Sequence, residues 1–182
     1  GGHFRIHPED HPLIFKLLVW IVKDKVNAKK QGLHLHKGIM LTGPVGCGKT
    51  SFMKLTQFFL PRENRHIIKS CRDVSFEFIQ DGYEVISRYS KQSFHYHRPR
   101  TYCFDDLGTE NSLKYYGNDC NVMAELLLSR YDLFITQRLI IHLTTNLNSS
   151  EIEQIYGPRV RSRMREMFDL VSFSNGCTDK RL

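Results

Sequence analysis

Apolar residues recur at helical spacing between Leu13 and Asn27, at positions 14, 17, 18, 21 and 22, and this pattern predicts an amphipathic helix laid on a core. After a basic, Gly-containing turn, the apolar run Gly38 to Leu41 reads as a buried strand, and Lys49 to Leu60 reads as the helix that follows it. The pattern then predicts a strand over Arg65 to Ser70 and a helical region over about Asp73 to Tyr89, with Phe76, Phe78, Ile79 and Ile86 facing inward. A basic, aromatic loop, SKQSFHYHRPR, leads into a strand over Thr101 to Phe104. A helix begun near Asn118 continues through Met123 to Tyr131, and Leu139 to Thr144 is another buried strand. Glu151 to Met167 reads as a helix broken at Gly157-Pro158, and Asp169 to Phe173 closes the sheet. Strand alternating with helix predicts an α/β fold, a three-layer sandwich whose parallel sheet of about five strands is covered on both faces. There is no internal repeat and no low-complexity segment.

The turn between the first strand and the second helix carries chemistry. LTGPVGCGKTS, Leu41 to Ser51, contains Gly43-x-x-x-x-Gly48-Lys49-Thr50, the spacing of a P-loop for a nucleoside triphosphate. Glycines at 43, 46 and 48 let the backbone turn tightly and bring its N–H groups to phosphates. Lys49 is placed for the β/γ oxygens and Thr50 for magnesium, while the helix N-terminus adds its positive dipole end. The expected nucleotide contacts run through Gly43, Pro44, Val45, Gly46, Cys47, Gly48, Lys49, Thr50 and Ser51. Cys47, beside Lys49 and that helix terminus, is expected to have a lowered thiol pKa and to be the most reactive cysteine.

Two further strands end in polar residues. Tyr102-Cys103-Phe104 runs into Asp105-Asp106, where the first acid suits a magnesium shell and the second suits orienting or deprotonating an attacking water. Leu139 to Thr144 runs into Thr145-Asn146 at its carboxyl end, where ligands sit in open parallel sheets. Asn146 is placed there to read a γ-phosphate and position water; its other reading is a turn-forming residue ahead of Leu147 to Ser150.

Length and charge narrow the setting. The 182 residues suit one domain with a sizeable core, divided into an N-terminal segment, 1–37, with the amphipathic helix, and a P-loop domain, 38–182. Five cysteines, odd in number and without a CxxC pair, together with no secretory pattern, point to a reduced, cytoplasmic setting. The longest apolar stretch, Leu13 to Val22, is too short to span a bilayer, so no membrane role is expected. A net charge of +7 fits a polyanion partner and equally a basic globular domain.

The loop GPVGCGKT, the segment FDDLGTE at Phe104 to Glu110, TTNL at Thr144 to Leu147 and GPRVRSRMRE at Gly157 to Glu166 together resemble AAA+ ATPases of the DnaC helicase-loader and IstB transposition-helper clade. The resemblance covers roughly residues 38 to 182. It implies that Asp105 and Asp106 are the Walker B pair, that Asn146 is sensor 1, and that Arg163 is the arginine finger, with Arg159 one turn earlier in reserve. It further implies ATP and magnesium as cofactors and a nucleotide-dependent homo-oligomer acting in replication or transposition. Residues 1–37 are too few for a helicase-binding front domain, and those after Arg163 too few for a helical lid; Arg181 is a weak stand-in for a lid arginine.

A polymer site is expected between Phe76 and Arg100, where aromatics interleave with cations: rings stack bases while cations follow phosphates. Tyr96, Arg98 and Arg100 are its candidate nucleic-acid contacts, favouring single-stranded DNA, against the alternative of a solvated loop. His95 and His97 have no third ligand at suitable spacing, so magnesium with ATP is the one metal expected. The leading reading is an ATP-hydrolysing module assembling on DNA. A small-molecule P-loop kinase and a non-hydrolysing nucleotide-dependent switch or scaffold remain the alternatives.

Overall fold

The computed structural model describes residues 6–95, 98–110, 113–115, 118–174, 177 and 179–180. Its centre is a five-stranded parallel sheet of β1 (Gly38–Thr42), β2 (Ile67–Ser70), β5 (Tyr102–Leu107), β8 (His142–Thr145) and β9 (Phe168–Ser172), in the spatial order β2-β5-β8-β1-β9. Met40 lies opposite Leu143 on one side and Leu170 on the other, so β1 is flanked in register by β8 and β9. Two short antiparallel pairs stand apart from this sheet: β3 (Phe94–His95) with β4 (Arg98–Pro99), and β6 (Leu113–Tyr115) with β7 (Asn118–Cys120).

Helices cover both faces, each with its own apolar core. On one face α1 (His11–Ile21), α2 (Lys25–Gln31) and α3 (Lys49–Thr56) bury Leu17, Trp20, Ala28, Phe52 and Met53 against Ile39, Leu41 and Val171. On the other, α4 (Cys71–Asp81), α5 (Glu84–Arg88), α6 (Val122–Gln137) and α7 (Ser149–Met167) enclose Phe104 and Leu143 with Val74, Phe78, Met123, Leu126 and Met164. Nearly continuous burial along β5 and β8 follows from being covered on both sides.

Several elements differ from the pattern-based expectation, each for a local reason. The single helix over 13–27 is two helices, because Asp24 accepts hydrogen bonds from the backbone N–H groups of Val26 and Asn27 and so starts α2 afresh. Ser70 caps α4 from Asp73 N–H, so that helix starts at Cys71 and its inward stripe is Cys71, Val74, Ser75 and Phe78. Phe76 and Ile79 therefore face outward, 50% and 57% exposed, whereas Phe78 and Ile86 are buried as expected. Gly82 separates α4 from α5. The expected helix start at 118 is strand β7; α6 begins after Asn121, whose side chain accepts from Ala124 N–H, and runs on to Gln137. The helix after the Gly-rich turn ends at Thr56 and gives way to a 3-10 turn, Gln57–Phe59. The break at Gly157-Pro158 is present: Gly157, at φ 85°, kinks α7.

Candidate nucleotide site

β1 delivers the chain to a tight turn, and α3 carries it away with its N-terminus facing the turn. Gly48 is the residue before α3 and adopts φ 94°, a left-handed conformation that a side chain would strain. Gly46 has φ 84°, and a Cβ there would run into the Asp179 carboxylate. Lys49 is 6% exposed, and its Nζ donates to the carbonyls of Gly43 and Pro44, both at 2.9 Å, which holds the ammonium at the mouth of the loop.

The paired acids meet this loop from β5. Thr50 Oγ1 donates to Asp105 Oδ1 and Oδ2 at 3.0 and 2.9 Å, and Thr144 Oγ1 on β8 donates to Asp105 Oδ1 at 2.6 Å. The Thr144 hydroxyl also accepts the backbone N–H of Asp106 at 2.8 Å, so one side chain fixes both acids. Between Phe104 and Leu107 the β5–β8 register shifts, and Asp106 takes φ 55° there. That irregularity leaves Asp105 nearly buried while Asp106 is exposed to the cavity, which is how two consecutive acids acquire different surroundings. Asp106 and Asn146 line one cavity of about 290 Å³ with Val45, Lys49, Thr50 and Ser51.

Cys47 departs from expectation. It is fully buried in the core around α3, and burial pushes its thiol pKa up, outweighing the nearby Lys49 ammonium. The Lys49 backbone N–H and the nearby ammonium groups favour a thiolate, but desolvation of the buried sulfur outweighs them.

Two residues that pattern reading did not single out also line the cavity, Thr109 and Lys180. Thr109 Oγ1 donates to the Asp106 carbonyl at 2.7 Å. Lys180 donates its backbone N–H to the Gly46 carbonyl at 3.0 Å, while its ammonium reaches the buried Asp10 carboxylate at 2.5 Å. Asp10 also lies close to Glu9 and Cys177, a trio within metal-ligating reach of one another, but Lys180 already supplies the compensating charge. No local sequence signal links residues 10 and 180. Thr144 lay in a segment that sequence analysis flagged, but its role in clamping both acids emerges only from the pairing of β5 with β8.

Arg163 lies on α7, outside the lining of this cavity, with its guanidinium 4.3 Å from the Tyr131 ring centroid and bonded to Tyr131 OH at 2.9 Å and Glu166 at 3.2 Å. Arg159, one turn earlier, is exposed and has no hydrogen bond or ion pair among the described residues. In the expected polymer site, Arg100 follows β4, and its carbonyl accepts from Arg130, a fully buried side chain that also bonds the Tyr89 carbonyl. Arg98 is on β4; its side chain, and Tyr96, His97 and Arg181 altogether, lie outside the described residues.

The Gly-rich loop after β1, the acids on β5 one strand removed across β8, and the sheet order β2-β5-β8-β1-β9 give the chain a P-loop fold of the AAA+ type. The fold is similar to that in the crystal structure of a DnaC helicase loader, with a TM-score of 0.63 at 16% identity, covering 94% of each chain. It matches DnaI with a TM-score of 0.62 at 18% identity, covering 94% of this chain and 88% of that one. Against AMPPCP-bound DnaA from Aquifex aeolicus the TM-score is 0.56 at 19% identity, covering 94% of this chain and 48% of that one. No family model and no curated relative matches the sequence. Identities this low speak for the fold. Among the described residues no helix is long and apolar enough to cross a membrane.

Proposed function

We propose that this chain binds and hydrolyses ATP and, as a nucleotide-dependent homo-oligomer, assembles on DNA in replication or in mobile-element transfer. The observation that carries the reading is the Thr50–Asp105–Thr144–Asp106 network, which joins a P-loop hydroxyl to two acids of different exposure, with Thr50 and Asp106 lining one cavity. Thr50 and Asp105 are hard oxygen donors in mutual contact, a set that fits magnesium. Thr50 and Asp105 would hold the ion, which when bound would neutralise phosphate charge. Lys49 binds the β/γ-phosphate oxygens, and the loop N–H groups and the α3 terminus take the remaining phosphate charge.

Asp106, exposed to the cavity, orients water and accepts its proton, and Asn146 on the neighbouring strand end holds that water in line. Arg163 acts on a neighbour's nucleotide. Tyr131 and Glu166 steady its guanidinium until subunits meet, and the unengaged Arg159 is the reserve for the same task. The DnaC and DnaI likenesses support a replication setting. The basic, aromatic segment that includes Tyr96, Arg98 and Arg100 is the first DNA contact tested.

The test is ATP turnover with and without DNA. Lys49→Ala should lose nucleotide affinity, and Asp106→Asn should bind ATP but hydrolyse it slower by orders of magnitude. Mixing Lys49→Ala with Arg163→Ala should restore part of the activity, because a mixed interface joins an intact loop to an intact arginine. Wild-type turnover by Asp106→Asn would refute the hydrolytic assignment and favour a switch. A phosphorylated small-molecule acceptor in place of free phosphate would favour a kinase.

A further inference from the structure

Parallel topology gathers the beginnings of all five strands on one edge of the sheet, opposite the edge that holds the nucleotide cavity. Each beginning is preceded by a cation. In spatial order these are Arg65 before β2, Arg100 before β5, Arg138 before β8, Lys37 before β1 and Arg165 before β9. The cations lie one to four residues ahead of their strands, and with neighbouring strands about 4.8 Å apart the five strand starts span roughly 19 Å. Arg65, Arg138 and Arg165 are exposed, and Lys37 Nζ bonds the Arg165 carbonyl at 3.0 Å, tying two of the positions together.

The row continues onto α2. Lys25 and Lys29, one helical turn apart and exposed, border an open groove with His34 and His36. Buried Asp169 accepts the His34 backbone N–H and lies 2.8 Å from its Nδ1, which fixes the exposed ring at the groove. From Lys23 to Lys37 there are five lysines and one acid, Asp24, so four of the seven net positive charges of the chain fall in that stretch. Asp24 is committed to capping α2. The acids flanking the row in sequence are Glu63, Glu166 and Asp169; Glu166 is already engaged by Arg163 and Tyr131, and Asp169 by His34. A row of like charges with few local counter-charges builds a field that draws a polyanion.

We propose that this edge is a rim that holds a nucleic-acid strand by its phosphate backbone, remote from the nucleotide cavity. The proposal rests on the reading that the chain assembles on DNA, and extends the contact from the hairpin at Arg100 across the whole sheet edge.

The experiment is fluorescence anisotropy of a labelled oligothymidylate between about 50 and 200 mM salt. It compares the wild type, Lys25→Gln/Lys29→Gln/Arg138→Gln/Arg165→Gln, each of the two pairs alone, and Arg98→Ala/Arg100→Ala. Losing four phosphate contacts should weaken binding at least about tenfold at the lower salt and reduce the log–log salt slope by about three. Each pair alone should remove about half of that, with urea midpoints and nucleotide affinity unchanged. Wild-type binding by the fourfold variant would overturn the rim, and so would a loss confined to Arg98→Ala/Arg100→Ala, which would leave the DNA reading standing. Absence of binding by the wild type at the lower salt would overturn both. Capture by phosphatidylserine vesicles without binding to the oligonucleotide would overturn the assignment to nucleic acid.

Discussion

Acid should unfold this protein through two histidines before its carboxylates matter. His66 and His142 are 3% and 2% exposed, with ring centroids 5.0 Å apart, and Trp20 meets His142 edge-on. His142 Nδ1 accepts the Ile39 backbone N–H, which requires that nitrogen to be unprotonated. Burial lowers the His66 pKa to about 4, and burial, with repulsion from His66 and Lys23, holds His142 well below its ordinary value. In the unfolded chain both rings titrate near 6.5. The unfolded state therefore takes up protons that the native state refuses. The stability tied to neutral rings is complete above pH 6.5 and is lost as pH falls from there toward the folded values.

Each refused proton costs about 1.4 kcal/mol per pH unit, so two histidines cost roughly 4 kcal/mol between pH 6.5 and 5, a large share of a typical 5–15 kcal/mol. The assay is urea unfolding at pH 7, 6 and 5, followed by the midpoint at constant m-value. The midpoint should fall steeply below pH 6.5, and His66→Gln should roughly halve the slope. A flat or rising midpoint between pH 7 and 5 would refute the claim that these rings stay neutral in the native state.

Thr144→Val removes the hydroxyl that donates to Asp105 and accepts from Asp106, so stability should fall by about 1–3 kcal/mol. ATP hydrolysis should drop more than ATP binding, measured as turnover against analogue affinity. Cys47 should react more slowly with iodoacetamide in the native state than in urea, by mass mapping, because its sulfur is buried and its thiol pKa is raised. Gly38→Ala puts a Cβ 1.7 Å from the Ile141 carbonyl oxygen, so β1 and its neighbour must separate. The urea midpoint should fall by the equivalent of about 3 kcal/mol.

Sequence alone determined what contiguous residues can encode. Residues 43–50 form a tight turn between β1 and α3 because glycine conformations, a lysine and the next helix N-terminus are all set within a few contiguous residues. That Asp105, Asp106 and Asn146 would gather near the Gly-rich turn was legible because parallel strands present their carboxyl ends on one edge. The break at Gly157-Pro158 was legible for a similar reason, since Pro158 lacks the N–H that an unbroken helix needs.

Tertiary structure decided whatever depended on phase or on distant partners. Whether Phe76 or Phe78 faces the core turns on where Ser70 starts α4, and a helix rotates by roughly 100° for each residue. The pairing of Lys180 with Asp10 across the loop and the sharing of Thr144 by both acids join residues with no sequence proximity. Cys47 shows the limit most directly: its neighbours in sequence argue for a thiolate, but the fold packs it into an apolar core, and desolvation outweighs the Lys49 N–H and the lysine charges.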